Sequence, residues 1–484
     1  MDRNGIAHVT SACSNLLATI SAGWGQLPES ARELEAAIKR LLGGPPDLQF
    51  HAVGGGHDLI YLDTIISDER VEEGIVRPLI RGTESPTIAK VSPVADMSAA
   101  LEALVGGKVL LVQRDPPLVT AIDVRSWPKR SPSEPPGEMV VKGPHDGFVE
   151  DLATNVGILR HRIREWQLRY ESVRVGRGGR TRGAMLYVTD LAPPTVLSAV
   201  RAAIAAAKPP FVTDATMLGA WMLRTSQMLL PTYGSTERPD SAAAAILEGR
   251  VVVMVDNSPV ALTMPTGFWQ LLHAPDDYYR SNIAATSRRL LRMAGIVVAL
   301  LATPVFLALI AVNTNLLPEV LFISFAQARQ GVPLPLLVEV LVLEAIVEVI
   351  REAGLRLPGP IGQAISIVGA VVIGQSAVTA GLISAPIVVT VALAFIASFT
   401  IPSHDITTDV VLLRWALVLL AYSLGVFGIA WGLVMVYIYL CTLESFGMPY
   451  LAPLIAHRSH PWQDTVLRGP LWRQRKPFFA RRSG

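Results

Sequence analysis

Four glutamates punctuate an apolar stretch in the C-terminal half of this chain. Glu339, Glu344, Glu348 and Glu352 lie in the Leu/Val/Ile-rich segment Leu336–Ala353. At 100° per residue, Glu344, Glu348 and Glu352 fall on one helix face at i, i+4 and i+8. A carboxylate facing lipid is costly, so the stripe must face protein, water or the membrane interface. Two chemistries compete for it. Copies of the helix around a symmetry axis form a ring of negative potential that favours cations. Glu344, flanked by Leu-Val-Leu and Ala-Ile-Val, is best placed for that. Alternatively the acids pair along the helix, because Arg351 lies three residues from Glu348 and Arg356 four from Glu352. Gln363 and Gln375 are polar groups in apolar surroundings, suited to a path or to a hydrogen bond between helices. The candidate path-lining set is therefore Glu344, Glu348, Glu339, Gln363 and Gln375.

Other patterns carry less. Ser403-His404-Asp405 offers the residue types of a nucleophilic relay, but neighbours on one loop do not present a relay to one substrate. Arg174, Arg177, Arg180 and Arg182 surround Gly176 and Gly178-Gly179, yet no phosphate-binding glycine pattern accompanies them, and a solvated basic loop is the simpler reading. The two cysteines, Cys13 and Cys441, make neither a disulfide framework nor a metal site. Ala12-Cys13 has no apolar run before it, as a lipoprotein cleavage site requires. No enzyme activity, metal or cofactor is expected.

The elements that must position the glutamates divide the chain in two. Its 484 residues carry a net charge of +2, with 51 % hydrophobic and 17 % charged residues. That balance gives no overall basic surface for nucleic acid. Charges of both signs are frequent up to about Arg292, and uncharged stretches dominate from Ala294. Ala294–Val312 has no charged residue and is about 28 Å long as a helix, enough for a bilayer core. Pro304 is expected to kink it. Leu357–His404 contains no Asp, Glu, Lys or Arg. Gly381 and Pro386 divide it into helices near Ile361–Gly381 and Pro386–Ile401. Trp415–Leu443 reads as one further span with tilt, and Leu317–Pro335 as an interfacial or re-entrant piece. Arg280, Arg288, Arg289 and Arg292 precede the first span. Arg458, Arg468, Arg473, Arg475, Lys476, Arg481 and Arg482 follow the last, against Asp464. By the positive-inside rule both flanks are cytoplasmic, which requires an even number of crossings. Counting each of the three uncharged runs as one span and the Glu-bearing helix as the fourth, the pattern reads as four. One chain of that size encloses no wide pore, so any path runs between protomers.

The polar half contains an internal likeness. Ala103–Ala121 and Ala245–Thr263 align without a gap through Gly107-Lys108-Val109 and Gly249-Arg250-Val251, and through Pro117 and Pro259. Each reads as a helix end, a glycine turn, a strand, a polar turn and a returning strand. A further strand–helix unit is expected at Met185–Val188 and Pro194–Ala207. The fold class is therefore an α/β cytoplasmic region of two related subdomains plus an all-α multi-pass transmembrane domain. The expected divisions are an extension over 1–48, the first α/β subdomain over 49–142 and a helical connector over 143–171. The second subdomain follows over 172–279, then the transmembrane domain over 280–453 and a basic tail over 454–484.

A series of short motifs resembles one family. It includes Gly143-Pro144-His145-Asp146-Gly147-Phe148-Val149-Glu150, Thr154-Asn155 and Arg160-His161-Arg162-Ile163. It continues through Glu237-Arg238-Pro239-Asp240, Leu247-Glu248-Gly249-Arg250-Val251, Val255-Asp256-Asn257-Ser258-Pro259 and Pro275-Asp276-Asp277-Tyr278-Tyr279. In the apolar half it covers Arg329-Gln330-Gly331-Val332-Pro333, Arg351–Pro358, Ile361-Gly362-Gln363, Ile373-Gly374-Gln375 and Phe446–Pro453. These resemble the A subunits of bacterial spore germination receptors, the GerA family, from about Gln49 to Pro453. His145 and His161 stand where the pattern has arginine, and Asn257 where it has glycine. The resemblance implies an integral subunit of the spore inner membrane. It would work with a permease-like B subunit and a lipoprotein C subunit, and oligomerise into a nutrient-gated channel for monovalent cations. The stage V sporulation AF proteins share the motifs and imply a role in amplifying ion release. A secondary transporter or a membrane-anchored scaffold is the reading from other classes. Within the motif series, Glu150 with Arg160 and Arg162, and Arg238 with Asp240, read as structural ion pairs or inter-subunit contacts.

Overall fold

The computed structural model describes residues 27–28, 30–53, 56–81, 90–114, 118–125, 138, 143–177, 181–223, 229–355, 369, 372–452 and 465–469. The first unit begins with α1 (Ala31–Leu42), whose apolar positions Leu34, Ile38 and Leu42 share one face and are all buried. Strands β1 (Leu48–Val53), β2 (His57–Leu62) and β3 (Val91–Pro93) follow, then α2 (Met97–Val105), β4 (Lys108–Gln113) and β5 (Leu118–Asp123). The sheet order is β1-β2-β4-β5-β3, antiparallel throughout. Helix α1 lies upstream of the expected boundary at residue 49, yet its buried face joins the same core as Ile60, Leu62 and Leu110. Successive β4 residues point to opposite faces, Val109 and Leu111 to one core and Leu110 and Val112 to the other.

The second unit repeats the plan. It comprises α3 (Leu152–Arg162), β6 (Leu168–Val175), β7 (Thr181–Val188), α4 (Pro194–Ala206) and α5 (Ala215–Met222). Then come β8 (Gly234–Thr236), α6 (Pro239–Leu247), β9 (Val251–Val255) and β10 (Ala261–Met264). Its order is β6-β7-β9-β10-β8, the same permutation as the first sheet and again antiparallel. The two aligned sequence stretches occupy equivalent places, α2–β4–β5 and α6–β9–β10. Gly107 and Gly249 both carry positive φ, 79° and 88°, at the turn between helix and strand, where a side chain is strained. Asn257 also has positive φ, 66°, which accounts for a glycine-like position in the β9–β10 turn. The sheets are antiparallel, with helices laid over their faces, so the units are not the parallel kind that α/β alternation often signals. Strand β6 is part of the second sheet, although its polar sequence placed its first half in the connector.

The C-terminal half is helical. It contains α7 (Asn282–Ala311), α8 (Glu319–Ala328), α9 (Leu336–Leu355), a helical stretch over 372–379, α10 (Ala385–Ser398), α11 (His404–Leu424) and α12 (Val426–Thr442). Among the described residues, α7 and Ile406–Leu424 of α11 are long and apolar enough to cross a membrane. The expectation of one tilted helix over Trp415–Leu443 is corrected. The chain reverses at Gly425, φ 64°, and α11 and α12 form an antiparallel pair. A Cβ at Gly428 would lie 2.2 Å from the Leu420 carbonyl oxygen, so the pair closes only because no side chain is there. An uncharged run does not reveal such a reversal, because hydropathy is blind to a turn between two apolar helices. Pro304 lies inside α7.

The chain enters and leaves this helical half at one end. After α12 the short hairpin β11 (Glu444–Ser445) and β12 (Met448–Pro449) docks on the second unit. The Ser445 hydroxyl donates to the Thr232 carbonyl (2.6 Å) and accepts from the Thr266 amide (2.9 Å). The Tyr450 carbonyl accepts from the Phe268 amide. At the opposite end Asn313, after α7, accepts from the Val426 amide at the α11–α12 turn (2.8 Å). The end against the second unit is called near, the other far.

Candidate functional site: buried charges at the junction and among the helices

The near end is fixed by Asp277, in the Pro275–Tyr279 turn that leads into α7. Its side chain is fully buried and accepts from Arg292 Nη1 (2.6 Å) and Nη2 (2.9 Å), and from Arg289 Nε (3.4 Å). Burial pushes its carboxyl up, but the Arg292 hydrogen bonds and charge, the Ala274 amide and Arg289 more than reverse that. The group is held below the usual carboxylate range. Arg468, from the C-terminal segment, donates to the carbonyls of Asp277, Arg280 (2.8 Å) and Tyr278 (3.1 Å). Three of the arginines that argued orientation therefore also tie the two chain flanks together.

Within the bundle, α9 presents Leu336, Val340, Leu343 and Val347 on one buried face. They pack with Leu307 of α7, Ile387, Val391 and Phe395 of α10, and Val418 of α11. The glutamates are carried past this face in turn. Glu339, at the far end, is fully buried; its Oε1 accepts from Arg329 (2.9 Å) and its Oε2 from both the amide (3.1 Å) and hydroxyl (3.0 Å) of Ser384. Ser384 is the residue that begins α10. Glu344 is 1 % exposed and meets Arg414 Nε of α11 at 3.0 Å. Arg414 is equally buried, and its Nη1 donates to the Ala299 carbonyl of α7 (3.1 Å). Glu348 is partly exposed and pairs with Arg351 at 3.4 Å, the i, i+3 contact. Arg351 also donates to the Ser398 hydroxyl at the end of α10 (3.0 Å) and lies over the Phe395 ring. Glu352 is exposed.

The expected stripe thus grades from buried to exposed along α9. Glu339 and Glu344 are enclosed within this chain and offer no surface to a neighbouring protomer. Gln375 is exposed on the 372–379 stretch, its carbonyl accepting from the Thr379 hydroxyl. Gln363 lies outside the described residues, as do Arg356, Cys13 and Arg180. Ser403-His404-Asp405 is the first turn of α11. Arg238 pairs with Asp240 (2.8 Å) as expected, but Arg160 and Arg162 meet Asp47 (2.8 Å) and Asp146 rather than Glu150; all are ion pairs within the chain, and Arg160–Asp47 joins the two sheet units. Sequence reasoning missed Arg414. It stands immediately before the uncharged run Trp415–Leu443, and its signal in the sequence is a lone cation between apolar neighbours on both sides.

The family model and the curated relatives show one family. The family model described as Bacillus/Clostridium GerA spore germination protein matches residues 36–478. The chain is 33 % identical over 445 residues to a Bacillus subtilis (strain 168) protein named uncharacterized membrane protein YfkQ, covering 89 % of this chain and 87 % of that one. It is 32 % identical over 465 residues to spore germination protein B1 of the same organism, covering 91 % and 95 %. Among solved structures, the N-terminal domain of the A subunit of the Bacillus megaterium spore germinant receptor GerK3 is similar with TM-score 0.39 and 20 % identity, over 51 % of this chain and 98 % of that one.

Proposed function

The chain belongs to the GerA family of spore germination proteins, and from that premise we propose that it is the A-type membrane subunit of a germinant receptor. It sits in the spore inner membrane, with the two sheet units on the cytoplasmic side and the helical half crossing the bilayer an even number of times. It acts with a permease-like B subunit and a lipoprotein C subunit. Copies of the chain assemble around an axis and pass monovalent cations when a nutrient is sensed.

The observation that carries this reading is the placement of charge among apolar helices. A passive anchor needs no buried carboxylates, and intramembrane ionisable groups mark ion paths or switches. That both flanks meet on the second unit, through Asp277 and the β11–β12 hairpin, supports the even number of crossings. Because Glu339 and Glu344 are enclosed, the surface that lines the path between protomers falls to Glu348, Glu352 and Gln375. The test is cation release from spores whose other receptors are deleted. Restoring this chain with its partner subunits should restore nutrient-triggered release. Normal release in spores lacking this chain alone would overturn the proposal.

A further inference from the structure

Arg414 lies halfway along α11, about 15 Å from either end at 1.5 Å per residue. It touches two other helices at once, Glu344 of α9 and the Ala299 carbonyl of α7. That carbonyl lies in the turn of α7 that Pro304 weakens, since proline has no amide to give the carbonyl of Leu300, four residues back. Arg414 thus braces the turn in α7 where the backbone is least supported. The donors that reach Glu344, Arg414 Nε and the buried Thr303 hydroxyl of α7, approach it off the ideal hydrogen-bond direction. The pair is held chiefly by opposite charge in a low-dielectric setting. Such a contact resists separation while its partners are enclosed, and yields when water or another counter-charge reaches it. A directed set such as that around Glu339 has no comparable freedom.

We infer that Glu344 and Arg414 form an internal latch that fixes α9 against α7 and α11, and that the latch must open for α9 to move. Glu348 and Arg351, one turn and nearly two turns further along α9, are the next charges toward its C-terminal end. Arg351 ties the same helix to α10 through Ser398. Movement of α9 therefore begins at the latch and is limited by the Arg351 contact and by the Glu339 anchor. The functional half of this inference rests on the proposed receptor role: germinant sensing would act by separating the pair.

The experiment uses the full chain in lipid nanodiscs for hydrogen exchange and in spores for ion release. Glu344→Gln and Arg414→Gln each remove one charge; Glu344→Arg with Arg414→Glu exchanges them. Amide exchange across residues 340–350 is expected to rise about tenfold or more in each single variant and to return most of the way in the exchanged pair. The same single variants should release cations without nutrient. Unchanged exchange in both single variants, or an exchanged pair as loose as either, overturns the latch. Where neither single variant accumulates, the exchanged pair decides. Protected, it supports the latch; absent as well, it shows that charge complementarity is not what the site needs. Exchange that follows the expected order while no variant, nor the native chain with nutrient, ever releases ions would keep the latch and sink the channel reading.

Discussion

Helix α9 carries two buried acids whose surroundings differ in kind. Glu339 sits at the far end with every acceptor direction used, by Arg329 on one oxygen and by both donors of Ser384 on the other. Glu344, deeper in the bundle, has a cation 3.0 Å away and no aligned donor. Burial of a carboxylate is costly in both places, but the compensation differs. At Glu339 it is spread over several directed bonds, one of them to the first amide of a helix, where negative charge is also favoured by the helix dipole. At Glu344 it comes mainly from one charged partner, Arg414, with the buried Thr303 hydroxyl of α7 beside it. A site that leans on one charge is more easily undone than one held by several directed bonds, which places the stable anchor and the movable contact on the same helix.

The largest effect that separates the two is removal of each cation. Arg414→Met should destabilise the detergent-solubilised chain by about 3–5 kcal/mol, because it strands a buried carboxylate. Arg329→Met should cost about 1–2 kcal/mol, since Ser384 still bonds Glu339 and the arginine is partly exposed. Thermal unfolding of the two variants measures the difference. Equal losses would mean that the bonding around Glu339 does not hold it independently of Arg329.

Asp277 extends the comparison outside the bundle. It is buried like Glu344 but bonded like Glu339, and its carboxyl is held low, chiefly because Arg292 and Arg289 outweigh the effect of burial. A group with a depressed native pKa contributes stability that is present above its unfolded value, roughly pH 3.9, and lost as pH falls through the native one. The junction should therefore hold through the neutral and mildly acid range and weaken only below about pH 4. Asp277→Asn should remove that acid-limb dependence and cost roughly 2–4 kcal/mol at neutral pH, because Arg289 and Arg292 are then left unpaired in a buried site. Release of the C-terminal segment, read by proteolysis near Arg468, is the local check. An Asn variant with native proteolysis and native acid unfolding would show that Asp277 does not hold the flanks together.

Much of this was legible in the residues. The division near Arg292 follows from charge and hydropathy, the two related sheet units from an internal repeat, and the glutamates on one helix from the 3.6-residue period. The equivalent glycines Gly107 and Gly249 announced the repeat because positive φ leaves few alternatives. What was not legible depends on contacts distant in sequence. Whether Glu344 faced a path or an arginine turned on Arg414, 70 positions later. The hairpin at Gly425 was hidden because both of its helices are apolar. Helix α1 joined the first core through side chains that no repeat marked, and β6 hid in a polar run because an edge strand needs little apolar surface.

A smaller effect sharpens the view of Glu339. Glu339→Gln keeps an acceptor for Ser384 and loses the charge that Arg329 meets, so the cost should be about 1–2 kcal/mol. Thermal unfolding measures it, and spontaneous ion release should remain at the native level. Nutrient-independent release from this variant, matching that of Glu344→Gln, would erase the distinction between anchor and latch.

The smallest expected effect on stability lies at the exposed end of the stripe. Glu352 and Gln375 are exposed, and surface substitutions of this kind usually fall within about 0.5 kcal/mol of neutral. Glu352→Gln and Gln375→Leu should therefore leave thermal unfolding and protein abundance unchanged. If these positions line a path between protomers, the same variants alter cation conductance or selectivity at matched protein levels, Glu352→Gln more than Gln375→Leu because it removes a charge from every copy around the axis. This reverses the order expected for Glu344, where a change in flux should come with loosening of α9. Conductance of the assembled complex in planar bilayers, with selectivity read from the reversal potential, tests it. Native conductance and selectivity in both variants would take this face of α9 and the 372–379 stretch away from the path and return them to the lipid.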